Sequence, residues 1–348
     1  MIYTKLYLSD LEKVQNAIPN LKEFNKAKIL ITGAGGLIAS ALADLLIRLN
    51  DTGRVGNRIY LGARSVEKIK TRFGDRLERR DVIYLQYDAL KSINTDESFD
   101  YIIHAASPAS PTKYLKQPVE TMLANFIGLN NLLEYAYKVG TKRILYVSSS
   151  EVYGKKENNL PYKETDYDFV DILNPRACYP SAKRAAETLC ASYLAEYGVQ
   201  SVIVRPGHIY GPTCTKEDSR ASTQFFYNVI ANQDIIMKSA GEQRRSYCYV
   251  LDCVSSIMTV LLNGKPGEAY NISNPDSIVT IRDLAEEIAK VSGKKVVFHI
   301  PSEDEVRGYN LMDNSSLNSD KIEGLGWKGL FDIHIGVEHT FRIMSQQG

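Results

Sequence analysis

The run Lys28-Ile29-Leu30-Ile31-Thr32 leads directly into Gly33-Ala34-Gly35-Gly36 and then into a stretch rich in helix formers from Leu37 to Asn50. A short apolar strand, a glycine turn and an amphipathic helix, in that order, open a βαβ unit. The same alternation continues. Strands are predicted at Arg58–Gly62, Val82–Gln86, Tyr101–His104, Arg143–Ser148 and Ser201–Arg205, with helices at Val119–Val139 and from Tyr179 to Tyr197. Gly198 stops that last helix, and Pro180 suits its first position. Strands alternating with helices predict an α/β fold: a Rossmann-type, doubly wound parallel sheet. Crossovers of one hand bring every strand-to-helix turn to a single sheet edge.

After Arg205 the rhythm breaks. A strand is predicted near 268–272 and a helix at Ile281–Val291, and from Lys294 onward a short strand mixed with loops. The expected organisation is an N-terminal arm (1–27), a dinucleotide-binding domain (28–205) and a smaller, mainly substrate-binding lobe (206–348). This lobe is interleaved with the first, because the strand near 268–272 returns to the sheet.

The glycine turn is where a dinucleotide pyrophosphate sits. The N-terminus of a helix offers free N–H groups and a positive dipole end. Gly33, Gly36, Leu37 and Ile38 supply that site, and Ala39 takes the place of a third glycine. An acid at the end of the second strand reads the ribose of NAD. Here the strand ends in Ala63-Arg64-Ser65, without a carboxylate. Arg64 and Ser65 suit a 2′-phosphate, which leans the cofactor toward NADP. An arginine stacked on the adenine of NAD is the alternative. Asp88, past the third strand, is placed to meet the adenine amino group.

The chemistry is carried by Tyr179 and Lys183, with Ser148-Ser149-Ser150-Glu151 upstream. A tyrosine hydroxyl has a pKa of about 10 and is a weak base at neutral pH. A lysine one helical turn on shares its face and favours the phenolate. A serine then holds the substrate oxygen. Together they move a hydride between a nicotinamide and a carbon bearing a hydroxyl. A second match, Tyr87 and Lys91, follows the apolar run Val82–Gln86. It reads as a strand end, where i and i+4 do not share a face.

Composition excludes other classes. The formal net charge is +1 over 348 residues, so nothing suggests a nucleic acid or membrane partner. No run is long and apolar enough for a span, and the first residues lack a signal-peptide core. Five cysteines without a Cys-x-x-Cys, and five histidines without ligand spacing, predict free thiols in a reducing cytoplasm and no metal.

Taken together, these motifs resemble the extended short-chain dehydrogenase/reductases that modify nucleotide sugars, from about Lys28 to Trp327. Among them the chain is most similar to UDP-glucuronate decarboxylases. The similarity lies in His104-Ala105-Ala106-Ser107-Pro108-Ala109-Ser110-Pro111, Ser149-Ser150-Glu151-Val152-Tyr153-Gly154, Pro175-Arg176-Ala177-Cys178-Tyr179 and Arg245-Ser246-Tyr247-Cys248-Tyr249-Val250. The resemblance implies that Ser149 binds the sugar 4-hydroxyl and that Tyr179 takes its proton. It implies that Lys183 lowers the tyrosine pKa and holds the nicotinamide ribose. Ala89, Ala105, Ala106, Ser107 and Pro206 join the cofactor site, while Ser150, His208 and Arg245 bind substrate, Arg245 at the diphosphate. Glu151 matches a glutamate of decarboxylases and 4,6-dehydratases and is expected to act at C5. His208 stands where many relatives carry Asn, and Val306–Asn310 lacks an Arg-Lys-Pro-Asp signature. The expected partner is a nucleoside-diphosphate sugar, and the expected assembly a homodimer through Val119–Val139 and Ala182–Tyr197. Two other readings compete: an NADPH-dependent reductase of a 4-keto nucleotide sugar, which would share every catalytic residue, and a non-catalytic NADP-binding scaffold, which need not keep Tyr179, Lys183 and Ser149.

Overall fold

The computed structural model describes residues 2–109, 111–299, 301 and 312–346. Ser110 and the Val306–Asn310 stretch singled out above lie outside the described residues. Seven parallel strands form the main sheet: β1 (Lys28–Thr32), β2 (Arg58–Ala63), β3 (Val82–Gln86), β4 (Tyr101–His104), β5 (Arg143–Val147), β6 (Ser201–Pro206) and, returning late in the chain, β10 (Ala269–Ile272). Their order is β10-β6-β5-β4-β1-β2-β3. The order reverses between β1 and β4, and the crevice at their C-terminal ends is where such sheets bind ligands.

Side-chain alternation divides the core into two layers. Ile29 and Ile31 of β1 pack with α2 (Leu37–Asp51) and α8 (Val250–Asn263) on one face. Leu30 packs with α5 (Pro118–Val139) and α6 (Cys178–Tyr197) on the other. Both faces are covered, which is why these strands read as continuous apolar runs. One close helix contact is at Gly128 of α5, where an added Cβ would come within 2.8 Å of the Ala89 Cβ.

The second lobe is built on β9 (Arg244–Tyr249). It pairs with β7 (His208–Tyr210), β11 (Ile278–Thr280) and β13 (Asn314–Ser315). A parallel pair of β8 (Ile235–Met237) and β12 (Val296–Phe298) lies beside it, with α7 (Ala221–Ile230) and α9 (Ile281–Ser292).

Two local expectations change. Helix α6 starts at Cys178 rather than at Tyr179, because a 3-10 turn, Pro175–Ala177, feeds directly into it. The C-terminal segment is not only strand and loop. It holds a helix, Ile333–Ser345, whose Asp332 side chain accepts from the Ile335 N–H. The arm contains α1 (Lys5–Ala17), packed on α2, α8 and that C-terminal helix. Buried Tyr7 donates to Asp44 of α2 at 2.9 Å, and Tyr3 to the same carboxylate at 2.8 Å. Arg72 closes this cluster with an ion pair to Asp44. Asp10 of α1 accepts from Tyr249 at 3.1 Å and pairs with His339 at 2.9 Å. All five cysteines are free and buried. Among the described residues no helix is long and apolar enough to cross a membrane.

Candidate active site

The cofactor end of the crevice is shaped by backbone. Gly33 has φ +73°, and a Cβ there would lie 2.8 Å from the Ala106 Cα and 2.9 Å from the Ala105 carbonyl. A side chain would force the β1 and β4 turns apart. Gly36 is the N-cap of α2 and has no side-chain cap, so the first N–H groups of the helix, at Leu37 and Ile38, remain available to an anion. This glycine cradle fits a dinucleotide pyrophosphate. The β4 turn is braced from behind. The Ala106 N–H donates to the Thr32 hydroxyl at 3.3 Å, and that hydroxyl is 2.7 Å from His104 Nδ1. Ser107 donates to Asn125 of α5 at 2.8 Å.

At the adenine end Arg64 is exposed past β2. Ser65 is engaged as the cap of α3 (Val66–Phe73): it accepts from the Lys68 N–H at 3.3 Å and donates to Glu67 at 2.9 Å. Asp88 is partly buried and accepts from the Leu90 N–H at 3.1 Å, which leaves its second oxygen for a ligand. Pro206 ends β6 and is buried, and Ala89 packs under α5.

The reacting end lies where β5 and α6 meet. Beyond β5, the 3-10 turn Ser150–Tyr153 carries Glu151, and Ser149 caps that turn by accepting from the Glu151 N–H at 3.2 Å. Ser150 is buried in the turn. Tyr179 and Lys183 project from the first turns of α6, and both are buried. Burial and the nearby Glu151 charge push the Tyr179 hydroxyl up to about 12, while hydrogen bonds with Ser149 and Tyr114 work the other way. Burial pulls the Lys183 amine down to about 7, against the attraction of Glu187. Lys183 Nζ donates to the Val147 carbonyl at 2.7 Å and lies 5.6 Å from the centre of the Tyr179 ring. Burial and the Glu151 charge therefore both favour the neutral phenol at Tyr179.

Residues that sequence reasoning passed over frame this centre. Tyr114, from α4 (Pro111–Lys116), stacks on Tyr179 with ring centres 4.6 Å apart. Arg176 lies over the other part of the stack, 4.8 Å from the Tyr114 ring, and forms a two-point pair with Glu151 at 3.0 and 3.2 Å. Arg176 sits within a segment that carried the resemblance, yet its partner is 25 positions away and leaves no local signal. Behind Lys183, Glu187 accepts from Ser148 at 2.5 Å and from Arg205 at 2.6 Å, and Arg205 also donates to Tyr153 at 3.0 Å. This buried network ties β5, β6 and α6 together.

On the lobe side, His208 of β7 is opposite Tyr247 of β9, with ring centres 5.7 Å apart. Burial and the charges of Arg245 and Arg220 pull its imidazole down to about 3, so it is neutral at pH 7. Arg245 is buried and donates to the Arg244 carbonyl at 2.9 Å, and burial lowers its pKa. The Glu151 charge is felt at both Arg245 and Tyr179.

Comparison with known proteins agrees with this architecture. The model of the NAD dependent epimerase/dehydratase family matches residues 29–273. UDP-glucuronic acid decarboxylase 1 of Xenopus tropicalis is 30% identical over 349 residues, covering 97% of this chain and 79% of the relative. UDP-glucuronic acid decarboxylase 6 of Arabidopsis thaliana is 31% identical over 327 residues, covering 91% and 89%. Among solved structures, UDP-glucuronic acid 4-epimerase of Bacillus cereus, with UDP-glucuronic acid and NAD, has a TM-score of 0.77 at 22% identity. That match covers 92% of this chain and all of the other (100%). At that identity the likeness concerns the fold.

Proposed function

Because this chain belongs to the NAD dependent epimerase/dehydratase family, we propose that it oxidises C4 of a nucleoside-diphosphate sugar transiently, acts at C5 or C6 of the 4-keto sugar, and then returns the hydride to the sugar. The observation that carries the reading is the placement of Glu151 beside Tyr179 and Ser149 at one sheet edge, since a reductase or C4 epimerase has no need of a second base. NAD(P), held at the glycine turn of Gly33 and Gly36, would supply the hydride acceptor for C4 oxidation and the donor for the return step.

The residues of the chain do the rest. Ser149 donates its hydroxyl proton to the sugar O4 while its oxygen keeps accepting from the Glu151 N–H. Tyr179 takes the O4 proton and later gives it back. Lys183, when charged, favours the phenolate and is placed to hold the nicotinamide ribose. Arg245 and His208 line the lobe side, where the diphosphate and sugar enter. The 4-keto group acidifies the C5 proton, and Glu151 is the carboxylate near enough to act on it. The division into an arm, a dinucleotide domain and an interleaved substrate lobe follows the same logic, with the crevice between the last two. Spectroscopy tests the whole reading: adding a nucleotide sugar to enzyme carrying oxidised dinucleotide gives a transient rise at the reduced-nicotinamide band. A permanent fall at that band, with net NADPH consumption on a keto sugar, would favour the reductase.

For the cofactor, the exposed guanidinium of Arg64 and the absence of an acid after β2 support NADP over NAD. An Arg64→Ala variant is expected to weaken NADP(H) by roughly 1.5–3 kcal/mol, the worth of a charge-assisted contact, and NAD(H) far less. Calorimetric titration checks this, and a native preference for NAD would overturn it.

A homodimer is the assembly we propose. On α5, Val119, Met122, Leu123 and Phe126 are all exposed at i, i+3, i+4 and i+7 spacing, a stripe left uncovered by the described residues. On α6 the Ala186 and Cys190 stripe faces the core, and Ala185 and Ser192 stay outward beside it. A second copy packing these two helices buries both. Sedimentation is expected to give a dimer at micromolar concentration, and Leu123→Glu with Phe126→Glu a folded monomer. A monomeric parent protein would contradict the proposal.

A further inference from the structure

In the ligand-free protein Glu151 is already bound. Arg176 Nη1 donates to Oε2 at 3.0 Å and Nη2 to Oε1 at 3.2 Å, a two-point fork on a planar carboxylate. Both side chains are mostly withdrawn from water. Arg176 is positioned from several sides. Its backbone N–H donates to the Asn174 side chain at 3.0 Å. Its guanidinium rests on Tyr114, which rests on Tyr179. Its Nε is buried and has no partner. The guanidinium thus lies against the Tyr114–Tyr179 stack, and the carboxylate of Glu151 fills its fork. A carboxylate held at both oxygens by a guanidinium is fixed in orientation and not free to turn toward a substrate carbon. For Glu151 to act on the sugar it must leave the fork, and the guanidinium left behind is costly in so dry a site unless another anion replaces the carboxylate.

We infer that Arg176 is a selectivity residue that exchanges the carboxylate of Glu151 for one carried by the sugar. A sugar bearing an acid group takes the fork and frees Glu151. A neutral sugar leaves Glu151 locked. This rests on the nucleotide-sugar reading above and narrows it to acidic sugars. The exchange breaks one ion pair and makes another of the same charge, with no covalent change.

Binding measured without turnover tests the exchange. In the Tyr179→Phe background, the protein with its bound dinucleotide is titrated calorimetrically with UDP-glucuronate and with UDP-glucose. Adding Glu151→Gln replaces a charged competitor for the fork with an amide. Affinity for UDP-glucuronate is then expected to rise about tenfold, with UDP-glucose changed less than about twofold. Arg176→Met is expected to lower UDP-glucuronate affinity by at least about tenfold and to spare UDP-glucose. Arg176→Lys recovers only part of the loss, because an ammonium lacks the two-point geometry. A merely structural role for the pair predicts the opposite for Glu151→Gln: weaker binding of both sugars. That result, or an unchanged uronate affinity, overturns the exchange and leaves the nucleotide-sugar reading standing. Failure of the Tyr179→Phe parent to bind either sugar nucleotide overturns both.

Discussion

Replacing Tyr179 by phenylalanine is expected to lower turnover of a nucleotide sugar by about 10²–10⁴-fold, the usual loss on removing a positioned general base. The ring remains, so the 4.6 Å stack on Tyr114 is kept and only the hydroxyl goes. Dinucleotide uptake should be unchanged and the unfolding midpoint within about 3 °C of the parent. The effect is large because nothing else nearby replaces the group. Ser149 is a weaker acid still, and Glu151 is held by Arg176. The hydroxyl stands at about 12 in the ligand-free site, so little phenolate exists at neutral pH before ligands bind. The lysine amine, at about 7, carries its charge on only part of the molecules. Near-normal turnover by Tyr179→Phe on a confirmed substrate would sink the mechanism.

Glu151→Gln is expected to separate the two halves of the reaction. Oxidation at C4 needs Tyr179, Ser149 and Lys183, none of which the substitution removes. The variant should reduce its bound dinucleotide in a single turnover and then stop with a 4-keto sugar, because an amide cannot accept the C5 proton. Steady-state turnover falls by about 10²–10⁴-fold while the first hydride transfer stays within about tenfold of the parent. The amide can still accept one hydrogen bond from Arg176, so the 3-10 turn that carries residue 151 keeps its place. Two measurements made together decide the matter: absorbance at the reduced-nicotinamide band and deuterium exchange at C5. Full turnover with unchanged C5 exchange would reject the role and shift weight to the keto-sugar reductase.

Much of this protein is written locally. The β1–glycine turn–α2 unit depends on residues adjacent in the chain, and its strand bounds are read directly from Lys28–Thr32. The spacing of Tyr179 and Lys183 places them on one helix face wherever that helix packs. The same logic sets Tyr87 and Lys91 aside: Tyr87 lies one residue past β3 and is buried in the core, not in a helix. The C-terminal helix is a different case. Its sequence, with β-branched residues and Gly336, has weak helical propensity. The helix forms because it has a surface to cover, and Gly336 is required because a Cβ there would collide with the Tyr210 hydroxyl.

Long-range pairs were not legible at all. Tyr114 meets Tyr179 across 65 positions, and Arg176 reaches back to Glu151 across 25, through contacts that no periodicity predicts. The sheet order brings them to one edge only after the crossovers close. Desolvation, which is a property of the packed site, then sets the protonation of Tyr179, Lys183 and His208. Sequence by itself determined the dinucleotide fold and the tyrosine–lysine pair, because both rest on contacts within a few residues. Only the tertiary structure decided what holds Glu151 and how the site is charged, because both depend on which distant side chains share a volume without water.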